Sequence, residues 1–301
     1  FPQATTPSRA VMIVNKSGLI RYPMLMRGLL SLTVRLSGGT LHRGTYRFDT
    51  ASTHGDLLRS LLFGSGVLTV RVTFPEGSSI RRFASIIEQQ VMTDSAEVIR
   101  VTSSDSLREA FTIPPSSVEG YLMPDTYEFY YQQPAREIVE RLLRRQRTLW
   151  EERCANDARA LRMSKHEILT LASIVEKEAS RDEERGLIAG VYLNRLQRGM
   201  KLAADPTVQY ALGGEARRVL YKDLEIDSRY NTYRYAGLPP GPICSPGLQS
   251  ILAVIHPVPS SFLFFCARGD GSNRHSFATS ATEHERNVAV YRRNRMRTTL
   301  P

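Results

Sequence analysis

Apolar residues recur every three to four positions along much of this 301-residue chain, a spacing that predicts amphipathic helices. Helices are expected at 52–64, 80–90, 135–157, 165–180, 181–199 and 248–257, and again toward the end of the chain. Apolar and polar residues alternate with a period of two in "LTVRLSG" (32–38) and "VLTVRVTF" (67–74), which predicts strands. The apolar run "SFLFFCA" (261–267) also has the length of a strand.

Capping residues mark the start of two helices. Ser164 and Glu167 have the spacing of a capping box, in which the serine side chain and the glutamate side chain satisfy each other's backbone N–H groups. Asp205 directly precedes Pro206, and proline is favoured at the first position of a helix. Asp205 is therefore the expected N-cap of a further short helix.

The order of these elements predicts an α+β fold built from three parts. Residues 1–66 and 67–118 form two small N-terminal β/α modules, and 119–301 form a larger mixed α+β domain. The Ser- and Pro-rich stretch 103–118 is typical of a linker.

Composition excludes some classes of protein. Hydrophobic content is 42% and charged content is 23%, which is ordinary for a globular chain. No apolar run reaches the roughly 20 residues that a membrane-spanning helix needs. The first ten residues, "FPQATTPSRA", lack Met and a signal-peptide pattern, so we expect that a targeting segment upstream is missing.

The net charge of +10 indicates either a polyanionic partner or a surface charge that keeps the protein soluble. Neither zinc-finger spacing nor strands with interleaved base-stacking aromatics are present, which argues against nucleic acid. The cysteines Cys154, Cys244 and Cys266 form no C-x-x-C pair, so no metal site is expected. They are interpreted as buried apolar thiols, with one disulfide as the alternative.

Two carboxylates, Glu176 and Glu178, interrupt the apolar helix "LTLASIVEKEAS" and flank its apolar face on opposite sides. One turn before Glu178 lie Ile174 and Val175, whereas the corresponding neighbours of Glu176 are small. Apolar surroundings raise the pKa of a carboxyl group, which a general acid near neutral pH requires. The alternative is a pair of solvated carboxylates on either side of a lysine.

Six motifs occur together in a fixed order, and their combination is more specific than any one of them. They are "VEGYLMPDTYEF" (118–129), "ASIVEKEA" (172–179), "VYLNRL" with "DPTVQYALG" (191–213), "YNTYRYAGLPPGPICSPG" (230–247), "HP" (256–257) and "GDGSNRHSF" running on to His284. In these motifs the chain resembles the endolytic murein transglycosylases, bacterial enzymes that cut the glycan strands of peptidoglycan. The resemblance extends from about residue 42 to the final helix.

This resemblance implies that Glu178, the second Glu of "VEKE", is the catalytic residue. The implied reaction cleaves the β-1,4 bond between N-acetylmuramic acid (MurNAc) and N-acetylglucosamine (GlcNAc) inside strands, leaving 1,6-anhydro-MurNAc ends. One Glu acts first as general acid and then as base, whereas hydrolysis usually needs two carboxylates. The reaction requires no cofactor and no metal.

The resemblance also implies a LysM-like module, placed at 67–118, and an N-terminal membrane anchor. The catalytic part is then expected on the periplasmic or extracellular side of the cytoplasmic membrane. Peptidoglycan strands are the expected partner, and peptidoglycan synthases are candidate partners. Two positions depart from the family pattern, since Glu285 follows His284 and Cys244 occupies a position that is usually small.

Amide, hydroxyl and aromatic side chains near these motifs are candidates for holding the sugar. They are Asp125, Thr126, Tyr127, Asn194, Asp205, Thr207, Gln209, Tyr210, Asn231, Thr232, Tyr233, Ser245 and His275. Structural alternatives remain open for several of them. Asp205 is also the expected N-cap, Asn194 could bond inside its helix, 125–127 could end a strand, and His275 could be a turn residue.

A scaffold that binds peptidoglycan without cutting it is the alternative function. The intact "VEKE" motif argues against it, because an inert relative would tolerate the loss of Glu178.

Overall fold

The structure is a computed structural model that describes residues 6–37, 41–42, 44–48, 52–114, 117–214 and 218–298. Its helices are α1 (Pro7–Lys16), α2 (Pro23–Ser37), α3 (His54–Phe63), α4 (Ile80–Val91), α5 (Ser95–Thr102), α6 (Asp105–Ala110), α7 (Ala135–Arg153), α8 (Ala155–Ala158), α9 (Lys165–Glu178), α10 (Asp182–Gln197), α11 (Asp205–Ala211), α12 (Leu248–Ile255) and α13 (Ala281–Thr298). Its strands are β1 (Thr69–Thr73), β2 (Thr126–Tyr130), β3 (Phe264–Ala267) and β4 (His275–Ala278). The predicted α+β class is confirmed.

One compact unit comprises Phe1–Thr73, Ala84–Val98 and Thr126–Ile138. At its start, α1, α2 and α3 enclose a small core centred on the fully buried side chains of Ala10, Leu30 and Leu61. β1 and β2 pair in antiparallel register, with Val72 opposite Tyr127. Burial alternates along β2, as expected of a strand with one face toward a core.

The other unit comprises Phe74–Phe83, Ile99–Asp125 and Val139–Pro301. α9 runs through its core, since every residue from 168 to 175 is at most 1% exposed. α10, α11 and α12 all contact α9. β3 and β4 form an antiparallel pair with Phe265 opposite Phe277, and α13 packs against both strands.

α10 also packs closely against the segment after α12. A Cβ atom at Gly190 would lie 3.0 Å from the carbonyl oxygen of Val258, so only glycine allows the observed approach without a shift. One turn further along, Asn194 Nδ2 donates to the carbonyl oxygens of Ser260 and Phe262, both at 2.9 Å. The face of α10 that carries Gly190 and Asn194 is therefore occupied by this segment.

The predicted strand at 32–38 is wrong, because α2 continues to Ser37. Gly38 lies outside the described residues. Leu32 and Leu36 fit a period of two, but they are also one helical turn apart. Met26 and Leu30, also one turn apart, are buried on the opposite side of the same helix, and this longer helical pattern prevails.

Two predicted helix ends also need correction. The helix expected at 135–157 ends at Arg153, and after Cys154 the short α8 follows. Asp205 is the first residue of α11 rather than its N-cap, which is Ala204. Its carboxylate is consequently available to partners outside the helix.

The capping box of α9 is confirmed. The N–H of Glu167 donates to Ser164 Oγ at 3.2 Å, and the N–H of Ser164 donates to Glu167 Oε2 at 2.7 Å. The helix ends at Glu178, two residues earlier than expected.

The stretch 103–118 is not a simple linker. It contains α6, whose N-cap Ser104 accepts from the N–H of Leu107, while residues 115–116 lie outside the described residues. β1 pairs with β2, which follows residue 118, so strand pairing crosses the proposed boundary. The division at 66 and 118 and the LysM-like assignment stay predictions.

The cysteines are free thiols, and Cys154 and Cys244 are buried. Across the described ranges, no helix combines the length and the apolar character that crossing a membrane demands.

Candidate active site

Glu178 is the last residue of α9, and it emerges where the buried part of the helix ends. Its side chain faces a cavity of about 280 Å³, which we call the catalytic cavity. The cavity is lined by Glu178, Tyr192, Arg195, Ala203, Asp205, Tyr233, Phe265, Cys266, Ala267 and His275. Four of the predicted site residues, Glu178, Asp205, Tyr233 and His275, are therefore brought together.

Tyr192 holds the Glu178 carboxyl group in the catalytic cavity. Its Oη donates a hydrogen bond to Glu178 Oε1 at 3.1 Å, and its side chain is fully buried. Burial, and to a smaller extent the charge of Asp205, raises the pKa of Glu178 to about 7. The hydrogen bond from Tyr192 and the charge of Arg195 act in the opposite direction.

This pKa suits Glu178 to proton transfer, because at neutral pH both the acid and the carboxylate are populated. Burial and the neighbouring Glu178 raise the pKa of Tyr192 well above its usual value, so this side chain remains a hydrogen-bond donor.

Asp205 and Tyr233 form a second polar pair in the catalytic cavity. Tyr233 Oη donates to Asp205 Oδ1 at 2.5 Å. Asn231 fixes the backbone beside Tyr233, because its Oδ1 accepts from the Tyr233 N–H at 3.0 Å. The amide of Asn231 in turn donates to the carbonyl oxygens of Leu224 and Ile226.

His275 is held from two sides by one buried carboxylate. Its N–H donates to Glu184 Oε1 at 2.9 Å, and its Nδ1 lies 2.7 Å from Glu184 Oε2. The His275 ring meets the ring of Phe265 edge to face. These contacts leave Nε2 as the ring nitrogen available to a ligand.

Arg195 supplies positive charge to the catalytic cavity, and two of its nitrogens donate to backbone oxygens. Its Nε donates to the carbonyl oxygen of Leu263 at 2.6 Å, and its Nη1 to that of Leu202 at 2.5 Å. The guanidinium group therefore acts on Glu178 through its charge.

Four other predicted sugar contacts, Asn194, Thr207, Asn231 and Thr232, do not line the catalytic cavity. Their polar atoms bond within the protein. Thr207 and Thr232 are fully buried, with their hydroxyl oxygens 2.8 Å apart, and Thr232 Oγ1 also accepts from the N–H of Ala204. These side chains support the loop of Tyr233 and the start of α11, and direct sugar contact by them stays a prediction.

Ser245 and the segment 125–127 also lie outside the catalytic cavity. Ser245 is fully buried, and its N–H donates to the carbonyl oxygen of Ser78. Asp125 forms an ion pair with Arg145, with 3.3 Å between Oδ2 and Nε. Thr126 and Tyr127 begin β2, as the alternative of a strand end anticipated.

Gln209 and Tyr210 line a different cavity of about 490 Å³, which we call the second cavity. Its walls are formed by Gly77, Ser78, Ser79, Arg81, Arg82, Glu119, Lys177, Pro206, Gln209, Tyr210, Gly213, Gly214 and Ile243. Gly120, the residue after Glu119, has a φ of +81°, which is a left-handed backbone conformation. A Cβ atom at Gly120 would collide with Pro242, which explains why glycine is needed in the "VEGYL" motif.

Glu176 is neither a solvated carboxylate nor part of the catalytic cavity. Its Oε2 lies 3.1 Å from Arg185 Nη1 and accepts from the Gly247 N–H at 3.0 Å and from Ser250 Oγ at 2.7 Å. The side chains of Glu176 and Arg185 are only 7% and 11% exposed. This buried ion pair joins α9 to α10 and to the start of α12.

Sequence reasoning missed Tyr192, Arg195, Phe265 and Cys266 as lining residues of the catalytic cavity. Tyr192 and Arg195 lie three positions apart in "VYLNRL", and residues at this spacing share one face of a helix. That spacing is the signal that the sequence offers for this pair. Asn194, the residue predicted from the same motif, donates instead to the segment 258–262.

A sequence model described as the YceG-like family matches residues 2–290. The chain is 30% identical over 306 residues to a Bacillus subtilis (strain 168) protein named endolytic murein transglycosylase, covering 97% of this chain and 83% of that protein. A protein of the same name from Streptococcus pneumoniae serotype 2 is 26% identical, and the match covers 57% of it. A crystal structure of a yceG-like protein from Listeria monocytogenes matches with a TM-score of 0.67 and 30% identity, over 95% of this chain and 96% of that one.

Proposed function

We propose that this chain, which belongs to the YceG-like family, is an endolytic transglycosylase of peptidoglycan. The family match confirms the resemblance first drawn from six motifs. The observation that carries the proposal is Glu178, a carboxyl group with a pKa of about 7 that Tyr192 holds in a polar cavity. The names of the relatives support peptidoglycan as the substrate.

In the proposed reaction, Glu178 donates its proton to the oxygen that links MurNAc C1 to GlcNAc. The C1–O bond breaks, and positive charge develops at C1 and the ring oxygen. The C6 hydroxyl of the same MurNAc then attacks C1, and its proton passes to Glu178. One bond to C1 is exchanged for another, the carboxyl group is restored, and no water is consumed.

The tethered C6 hydroxyl has an entropic advantage over free water, because it is already held near C1. Tyr192 keeps the Glu178 carboxyl group oriented for both proton transfers. The carboxylate of Asp205 is available to the positive charge that develops at C1, and Tyr233 fixes its position. His275, with Nδ1 bound to Glu184, offers Nε2 to a sugar hydroxyl or N-acetyl group.

Hydrolysis is the second candidate reaction, and the presence of Asp205 in the same cavity as Glu178 favours it. A hydrolase needs a second carboxylate as base or nucleophile. Asp125, a carboxylate of the 118–129 motif, pairs with Arg145 and does not line the catalytic cavity.

Digestion of purified peptidoglycan in ¹⁸O-labelled water separates the two reactions. We expect unlabelled 1,6-anhydro-MurNAc ends by mass spectrometry, because the attacking oxygen comes from the sugar itself. Fragments of intermediate length, rather than terminal disaccharides, would show that cutting occurs inside strands. Labelled reducing ends as the main product would overturn transglycosylation in favour of hydrolysis. Binding of strands without any new ends would favour the scaffold.

We also propose that the protein works at the outer face of the cytoplasmic membrane. One face of α2 supports contact with a membrane surface, with Leu25, Leu29, Leu32 and Leu36 between 42% and 78% exposed. Residues 1–48 contain seven Lys and Arg but no Asp or Glu. A basic segment with an exposed apolar helix face suits an anionic lipid surface, whereas two copies of it would repel each other.

Vesicle sedimentation tests this contact with the membrane. The protein should bind vesicles containing anionic lipid more tightly than neutral phosphatidylcholine vesicles. Leu32→Glu should weaken binding by about ten-fold or more, because an exposed leucine that inserts contributes roughly 1.5–3 kcal/mol. Ser31→Glu introduces the same charge beside the stripe and should cost less. Equal binding to both vesicle types, or self-association through this face, would refute the proposal.

A further inference from the structure

The second cavity contains an excess of positive charge that the proposed chemistry does not use. Arg81, Arg82 and Lys177 line it, and Glu119 is its one acidic lining residue. Within the part of the chain that the structure describes, no carboxylate lies within ion-pair distance of these three cations. Cations that converge on a cavity without an internal partner favour an anionic ligand.

Glu119 does not neutralise this charge. Its two carboxylate oxygens lie 3.0 and 3.3 Å from the backbone nitrogen of Ile80, the first residue of α4, which donates to them. Glu119 is 5% exposed, and burial raises its pKa to about 7 against the lowering effects of Ile80 and Lys177. It therefore carries only part of a negative charge at neutral pH, and its oxygens face the helix start.

The second cavity shares two structural elements with the catalytic cavity. Lys177 in the second cavity directly precedes Glu178 in the catalytic cavity, on the last turn of α9. α11 places Asp205 in the catalytic cavity and Gln209 and Tyr210 in the second. The ends of α9 and α11 therefore contribute to both cavities, and a ligand with a sugar part and an anionic branch would suit the pair.

We propose that the second cavity binds the acidic peptide stem carried by MurNAc, with Arg81, Arg82 and Lys177 contacting its carboxylates. This inference rests on the proposed function, because it takes the glycan in the catalytic cavity to be peptidoglycan. MurNAc bears its peptide in amide linkage to its lactyl group, and the stem carries carboxylates beyond that group, whereas a glycan without stems keeps only the lactyl carboxylate. Gln209 also lines the second cavity. The Tyr210 ring, packed on Tyr230 at 4.7 Å between centroids, gives the pocket an aromatic wall.

The first test measures binding without chemistry, using the full chain with Glu178→Gln. Titration calorimetry with N-acetylmuramyl-L-alanyl-D-glutamate should show binding, and the uncharged diamide of this compound should bind about ten-fold more weakly or worse. Added Arg81→Gln and Arg82→Gln should weaken binding of the acid by about ten-fold, and salt should weaken it as well. Arg198→Gln removes an exposed arginine of the same unit and should leave binding unchanged. Equal binding of acid and diamide would overturn the inference.

The second test compares strands that carry stems with strands stripped by an amidase, which lack the stem carboxylates and keep one lactyl carboxylate on each MurNAc. Wild-type protein should show a lower KM for the stem-bearing strands. Arg81→Gln with Arg82→Gln should bring the ratio of the two KM values close to one, and Arg198→Gln should keep the wild-type ratio. Cutting of both strand types with equal KM would overturn the inference and leave the proposed function intact. Cutting of neither would refute the proposed function, and the calorimetric comparison would still decide the cavity's ligand.

Discussion

Glu178→Gln should reduce the rate of strand cutting by about 10²–10⁴, the usual contribution of a general acid. A larger loss would follow from the double role proposed for this group, because Gln can neither donate the proton nor take it back. The Gln amide has the size of the carboxyl group, and its oxygen can still accept from Tyr192, so the fold should persist. The measurement is kcat on purified peptidoglycan with quantification of new anhydro ends.

Glu176→Gln is the matched control, two residues away on the same helix. Its oxygen can still accept from Gly247 or Ser250, and it lies outside the catalytic cavity, so the loss of kcat should be much smaller.

In the wild type, kcat should fall as pH rises through about 7, because the raised pKa of Glu178 means that its proton-donating form is populated mainly below that pH. Equal losses in the two variants, or a rate that keeps rising above pH 8, would contradict the assignment.

The second large effect concerns stability rather than catalysis. Arg185→Met should lower the free energy of unfolding by about 3–5 kcal/mol, the cost of leaving one partner of a buried ion pair without the other. The carboxylate of Glu176 would keep its bonds to Gly247 and Ser250 but lose its cation. Urea denaturation at pH 7, followed by circular dichroism, measures the change.

The double variant Arg185→Met with Glu176→Gln provides the control for this effect. Removing the buried charge together with its partner should restore part of the lost stability, since the penalty belongs to the unpaired carboxylate. Arg198→Gln, an exposed change after the same helix, should alter the free energy of unfolding by less than about 0.5 kcal/mol. A loss that the double variant does not reduce would show that packing of Arg185, rather than its charge, stabilises this region.

Local signals in the sequence predicted the features that depend on neighbours along the chain. The capping box of α9 follows from Ser164 and Glu167 alone. The apolar residues one turn before Glu178 predict a desolvated carboxyl group, and burial does raise its pKa. Even here the sequence did not reveal that Glu176 is buried against Arg185. Glu176 and Arg185 are nine residues apart on two different helices, so helical periodicity does not predict that they pair.

The catalytic cavity depends on contacts between residues that are far apart in the sequence. This explains why the sequence did not predict Tyr192 and Arg195 as lining residues. Tyr192 and Glu178 come from different helices, and Asp205 and Tyr233 lie 28 residues apart in the sequence. Polar residue types alone do not distinguish side chains that line the cavity from side chains that support its walls. The sequence therefore groups Asn231 and Thr232 with Tyr233 as sugar contacts. The strand predicted at 32–38 failed for another reason, since a short segment fits both periods.

Few positions of α10 should tolerate substitution, because its buried faces make three different sets of contacts. Arg185 pairs with Glu176, Gly190 and Asn194 lie under the segment 258–262, and Tyr192 donates to the Glu178 carboxyl group. In a saturation library selected for function, substitutions in this helix should survive mainly at exposed positions such as Glu183. Few positions in α10 are therefore open to stabilising substitutions. Adaptation to heat or to a new substrate should arise mainly in other helices.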